Sequence, residues 1–134
     1  MIRQLDGRTK ISGQIQPADV ERLKESGVMM IVCNRPDGED PGQPTAAEIQ
    51  AAANAASIAF RHIPIVRGIG PSDVEAMQDA IDAAQGPMLA YCRSGTRSAL
   101  VWAVARRAQG ASIEELNEAT ASAGIDLSPV EHLL

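Results

Sequence analysis

Residues 88–105 constrain this chain more than any other stretch. The apolar run Met88-Leu89-Ala90-Tyr91-Cys92 ends in a polar loop, Arg93-Ser94-Gly95-Thr96-Arg97-Ser98, which leads into Ala99-Leu100-Val101-Trp102-Ala103-Val104-Ala105. The first run is too short for an independent helix and reads as a strand buried on both faces. The last segment is apolar on every side, so it reads as a helix that is buried rather than superficial. A buried strand that feeds a buried helix needs layers of structure on both sides of a sheet.

The remaining punctuation supports that architecture. Pro17, Leu23 and Gly27 mark a helix over 17–26 that ends in a left-handed cap. Val28 to Cys33 is a second buried strand, closed by Asn34-Arg35-Pro36-Asp37-Gly38. Thr45 and Glu48 form a capping box that opens an Ala-rich helix over 45–57, and Ile58 to Ile63 is another strand. Pro71, Ser72 and Glu75 start a helix that Gly86 ends, while Ser112 and Glu115 cap the last one. The expected fold is therefore α/β: one domain over 1–134, with a mostly parallel central sheet and helices on both faces. With 134 residues, 45% of them hydrophobic, the chain can bury one sizeable core and not two. Aromatic residues make up only 2%, so that core must be aliphatic and Ala-rich, with close helix packing.

Charge narrows the function classes. Twelve Lys and Arg against seventeen Asp and Glu give a net charge of −5, which excludes a whole-surface field for nucleic acid or anionic lipid. Any anion site must be local. No window approaches the roughly 18 consecutive apolar residues of a membrane span, and the first residues lack the regions of a signal peptide. The expectation is a cytoplasmic protein without membrane or nucleic-acid partners. The two histidines and two cysteines have no ligand spacing, so neither a metal nor another cofactor is expected.

The 92–98 loop carries the chemistry. Its backbone amides should converge at a helix N-terminus, which makes an anion cradle. Cys92 at that position meets the positive end of the helix dipole and two guanidinium groups, which favour thiolate and make it the candidate nucleophile. Gly95 permits a positive φ at the bend, and Ser94, Thr96 and Ser98 offer hydroxyl donors. Arg97 can grip an oxyanion in a bidentate way, with Arg93 beside it. Arg35, at the end of a neighbouring strand, is placed to add positive charge to the anion site. Cys33 also closes a strand, but no glycine-hydroxyl loop follows it, so it reads as structural. His62 is expected to be satisfied by backbone.

Tyr91-Cys92-Arg93-Ser94-Gly95-Thr96-Arg97-Ser98-Ala99 resembles the active-site loop of rhodaneses, whose cysteine carries a persulfide. Phe60 to Ile65, followed by Leu89 to Cys92 and a Gly-Thr-Arg-Ser-Ala turn, is similar to the dual-specificity phosphatases. In those phosphatases the arginine stands six positions after the cysteine, whereas Arg97 stands five after Cys92. Over nearly the whole chain the resemblance is to the phosphatase-like domain of the beta-lactamase-hydrolase-like proteins. Four blocks carry it: Ser12-Gly13-Gln14-Ile15, Asn34 to Glu39, His62-Ile63-Pro64, and Gly86-Pro87 leading to the Cys92 loop.

That resemblance implies a cysteine-phosphatase-like fold, which by itself does not set the reaction. A phosphatase needs an acid for the leaving oxygen. In the related phosphatases it closely follows the Ile-Pro segment, but here no carboxylate occurs before Asp73, which leaves Asp37 or Glu39 to substitute. The shortened loop and the missing acid favour a sulfurtransferase that works through a Cys92 persulfide. Its substrate would be a small anionic or sulfane-sulfur compound, and its partner a thiol acceptor or a sulfur-metabolising protein. The alternative is phosphate-ester hydrolysis through a Cys92 phosphocysteine. A third reading is a non-catalytic domain that binds an anion or a partner.

Overall fold

The apolar runs pair side by side, as their burial on two faces requires. A computed structural model describes residues 2–134. Strands β1 (Ile2–Gln4), β2 (Thr9–Ser12), β3 (Met30–Cys33), β4 (Ala59–His62) and β5 (Met88–Tyr91) form one sheet in the order β1-β2-β5-β3-β4. β1 runs antiparallel to β2, and every other pair is parallel. Helices α1 (Val20–Glu25), α2 (Ala46–Ala55), α3 (Pro71–Ala83), α4 (Thr96–Ala108) and α5 (Ile113–Ser122) cover it, and a 3-10 helix, Ser128–Leu133, follows.

Side chains of the central strands alternate between two cores, as a period of two dictates. Met30, Val32, Met88 and Ala90 join the core formed with α3, α4 and α5. Ile31, Cys33, Leu89 and Tyr91 face the other way, into the core formed with α1 and α2. In α4 every residue from Ser98 to Ala105 is buried, which accounts for a segment with no polar face. Trp102 is the bulkiest side chain in it, and truncating a buried group of that size costs about 3–5 kcal/mol.

Two expectations shift at the helix starts. The 17–26 helix divides into a 3-10 turn, Pro17–Asp19, and α1. α3 uses Gly70 as its N-cap, and Asp73 accepts the Gly70 N–H at 2.9 Å; Ser72 and Glu75 do not form the cap. By contrast, Thr45 and Ser112 accept the backbone N–H groups of Glu48 and Glu115, each at 3.1 Å, as their spacing predicts. β1 and β2 had no signal in the apolar pattern. Among the described residues, no helix is long and apolar enough to cross a membrane.

Candidate active site

Register gathers the site. Ser12 lies opposite Tyr91, Tyr91 opposite Cys33, and Cys33 opposite His62, so four parallel strands stop at one level. The loops that leave their carboxyl ends therefore rise together, and the topology places ligand sites at this edge. Backbone bonds extend the alignment one step further: Asn34 N donates to Tyr91 O at 2.8 Å and Cys92 N to Ser12 O at 3.3 Å.

Cys92 is fully buried at the start of the loop. Gly95, with φ +94°, is the N-cap of α4 and turns its N–H onto the Cys92 Sγ at 3.1 Å. Burial pushes the Cys92 thiol up, but the backbone N–H groups of Ser98, Ser94 and Gly95 and the Ser98 hydroxyl more than offset it. The thiol therefore titrates below its ordinary value. Buried Ser98 Oγ has no hydrogen-bond partner among the described residues, and its hydroxyl is one of the groups that favour the Cys92 thiolate. Ser94 and Thr96 hydroxyls bond each other at 3.2 Å at the exposed rim of the loop. Arg93 is exposed there, with its Nε 3.4 Å from Asp40 Oδ2.

Arg97 leaves α4 toward the neighbouring loops. Its Nη1 and Nη2 donate to the two oxygens of Glu39 at 2.7 and 2.8 Å, and Nη1 also donates to Ile65 O at 3.0 Å. Of the five guanidinium N–H groups, this leaves those on the Nε–Nη2 side, a parallel pair suited to an oxyanion. The Arg97 guanidinium, with Arg35 second, holds the Glu39 carboxyl well below its usual range, at about 2.

Arg35 does not sit as the sequence suggests. It is only 3% exposed, and all three of its nitrogens are engaged: Nε with Glu39 at 2.8 Å, Nη1 with Gln14 at 3.0 Å, Nη2 with Asp40 at 2.5 Å. Its links to the cradle run through Glu39 to Arg97 and through Asp40 to Arg93, because a buried cation claims carboxylates before any ligand arrives. Asp37 also departs from expectation. Its Oδ1 accepts the Ala46 N–H at 2.8 Å and so satisfies an orphan donor in the first turn of α2. Every carboxylate considered as an acid is engaged elsewhere: Asp37 with α2, Glu39 with two arginines, Asp73 with the Gly70 N–H. Cys33 is buried and donates to Arg35 O at 3.3 Å, and His62 Nε2 lies 3.1 Å from the same carbonyl, as their structural readings require.

Two features of the cradle had no role assigned from the sequence, because they act on loop backbone far along the chain. Gly13 packs so closely under the loop that a Cβ there would stand 2.9 Å from Arg93 O. Arg3 donates to Ser94 O at 2.7 Å and to Ala123 O at 2.8 Å. Next to the cradle, a cavity of about 410 Å³ opens between Arg97 and the final 3-10 helix, with Ile65, Ile69, Leu100 and Val130 as apolar walls. Arg67 and His132 also line it, and no carboxylate does.

Comparison with known proteins agrees with this geometry. A beta-lactamase hydrolase-like protein of Xylella fastidiosa is 34% identical over 125 residues, covering 92% of this chain and 29% of the relative. The chain thus spans under a third of that relative's length. A crystal structure of a candidate phosphatase of Neisseria meningitidis superimposes with a TM-score of 0.83 at 38% identity, covering 98% of this chain and 95% of that one. TpbA of P. aeruginosa, crystallised with pTyr, shares the fold at a TM-score of 0.65 and 19% identity, over 92% and 73% of the two chains. These neighbours support the phosphatase alternative ahead of sulfur transfer. With residues 2–110 matching the phosphatase-like domain of the beta-lactamase hydrolase-like proteins, around a cysteine cradle on a tyrosine-phosphatase-like sheet, the chain belongs to that family.

Proposed function

We propose that the chain is a cysteine-dependent phosphatase for aryl phosphate esters. One observation carries this reading: a buried sulfur receives converging amides at the N-terminus of α4 while one edge of Arg97 is left for an oxyanion. The Cys92 thiolate attacks phosphorus, the bond to the ester oxygen breaks, and a phosphocysteine forms. Amides of the 94–98 loop and the Arg97 edge carry the charge of the three non-bridging oxygens. Water then attacks the phosphorus, which releases inorganic phosphate and a proton and returns the thiolate.

The substrate class follows from what surrounds the cradle. With Asp37, Glu39 and Asp73 engaged elsewhere, the leaving oxygen departs without a dedicated proton donor, which selects phenols over alkanols. The cavity beside Arg97, apolar and lined by basic residues, suits an aromatic leaving group with a further negative charge. Expected results are turnover of p-nitrophenyl phosphate but not glycerol phosphate, loss of turnover in Cys92→Ser, and a fall of about 10²–10³-fold in kcat/KM for Arg97→Ala. Absence of hydrolysis with any aryl phosphate would overturn the reading. Parallel incubation with thiosulfate tests sulfur transfer, which the lack of a free acid also favours. A one-sulfur gain on Cys92, discharged by a thiol acceptor, would establish that second reaction.

A further inference from the structure

We propose that Arg3 is a positioning residue for the cradle, holding the Ser94–Gly95 peptide in the orientation that aims its N–H at Cys92. A trans peptide is planar, so its carbonyl and its N–H point in opposite directions. Here the Ser94 carbonyl accepts from Arg3 Nη2 at 2.7 Å, and the Gly95 N–H of the same peptide meets the Cys92 Sγ at 3.1 Å. Fixing one end fixes the other. Were the plane to turn over, a carbonyl oxygen would face the thiolate and an attractive contact would become a repulsive one.

Such a turn needs a lock because glycine flanks the peptide. Gly95 already sits at φ +94°, and a residue without Cβ moves between positive and negative φ at little cost. Arg3 also fills the space where a side chain at 95 would stand, its Nη2 lying 2.8 Å from that Cβ position. The guanidinium is itself anchored: Nη1 donates at 2.8 Å to the carbonyl of Ala123, the C-cap residue of α5. Arg3 lies on β1, opposite Ile11 and next to the Ser12 backbone that carries the loop's underside. The lock therefore joins the antiparallel edge of the sheet, the end of α5 and the cradle.

This inference rests on Cys92 acting as a thiolate, and its test does not need phosphatase turnover. Cys92 alkylation by iodoacetamide is followed against pH by peptide mass spectrometry in wild type, Arg3→Met, Arg3→Lys and Arg8→Met. Arg8 makes a comparable bond to Ala84 O at 3.0 Å, away from the loop. In Arg3→Met the midpoint is expected to rise by about one pH unit, which slows alkylation about tenfold at any pH below both midpoints. Arg3→Lys, which keeps the charge but loses the fork, shifts part of the way, and Arg8→Met stays at the wild-type midpoint. An unchanged midpoint in folded Arg3→Met overturns the proposal. If that variant does not fold, an unchanged midpoint in Arg3→Lys does so. A wild-type midpoint in the ordinary thiol range would overturn the thiolate reading itself.

Discussion

Gly95 combines two constraints on one residue. Its φ of +94° disfavours any L side chain, and a Cβ there would stand 2.8 Å from Arg3 Nη2, so the guanidinium would have to give up its place beside the loop. Gly95→Val is expected to cost about 2 kcal/mol or more in denaturant unfolding, since an L residue in the left-handed region alone costs about 1–2 kcal/mol. The folded fraction should lose phosphate binding, measured by isothermal titration in a Cys92→Ser background. Cys92, Gly95 and Arg97 were legible in the sequence because strand, loop and helix N-terminus are contiguous there. Arg3 was not legible, and Gly13 stood out only within a block of family resemblance and not by its role, because each acts on loop backbone some 80 to 90 positions away. Arg35 was legible as a nearby cation but not as a buried one, since its partners Gln14, Glu39 and Asp40 meet only in the fold.

Among the elements, α2 claims the Asp37 carboxylate that its place on the loop offered as an acid. Its side chain belongs to the helix start, accepting the Ala46 N–H while Thr45 accepts that of Glu48. Asp37→Ala is expected to lower stability by about 1 kcal/mol, as loss of a cap does, and to leave kcat/KM for p-nitrophenyl phosphate within a factor of about two. A loss of tenfold or more with the fold intact would return Asp37 to the reaction. Elements with a continuous apolar run or a capping box, β3, β5, α2, α4 and α5, could be read from the residues themselves. β1 and β2 could not. Ile2-Arg3-Gln4 and Thr9-Lys10-Ile11-Ser12 are short and mixed in polarity, and pairing makes them strands: β2 against β5, and β1 against β2.

At the scale of the molecule, the loops over the sheet edge are tied together by charge. Glu39 joins Arg35 in the loop after β3 to Arg97 in α4, with its carboxyl held at about 2, below the ordinary 4.5. Because the folded value is the lower one, the ionised carboxylate stabilises fully above about pH 4.5, and the contribution fades as pH falls toward 2. Glu39→Gln should cost on the order of 1–3 kcal/mol near neutral pH, allowing for partial solvent screening. Thermal unfolding across pH checks this: the gap between the proteins closes as acid makes wild-type Glu39 as neutral as glutamine. A gap independent of pH would assign the loss to packing. β1 has a different consequence. Three residues long and largely solvent-facing, it is the kind of edge that frays well before a fold melts. Since β1 carries Arg3, fraying of this short edge releases the anchor of the Cys92 loop, and the midpoint of Cys92 alkylation is expected to rise on warming before the rest of the sheet unfolds.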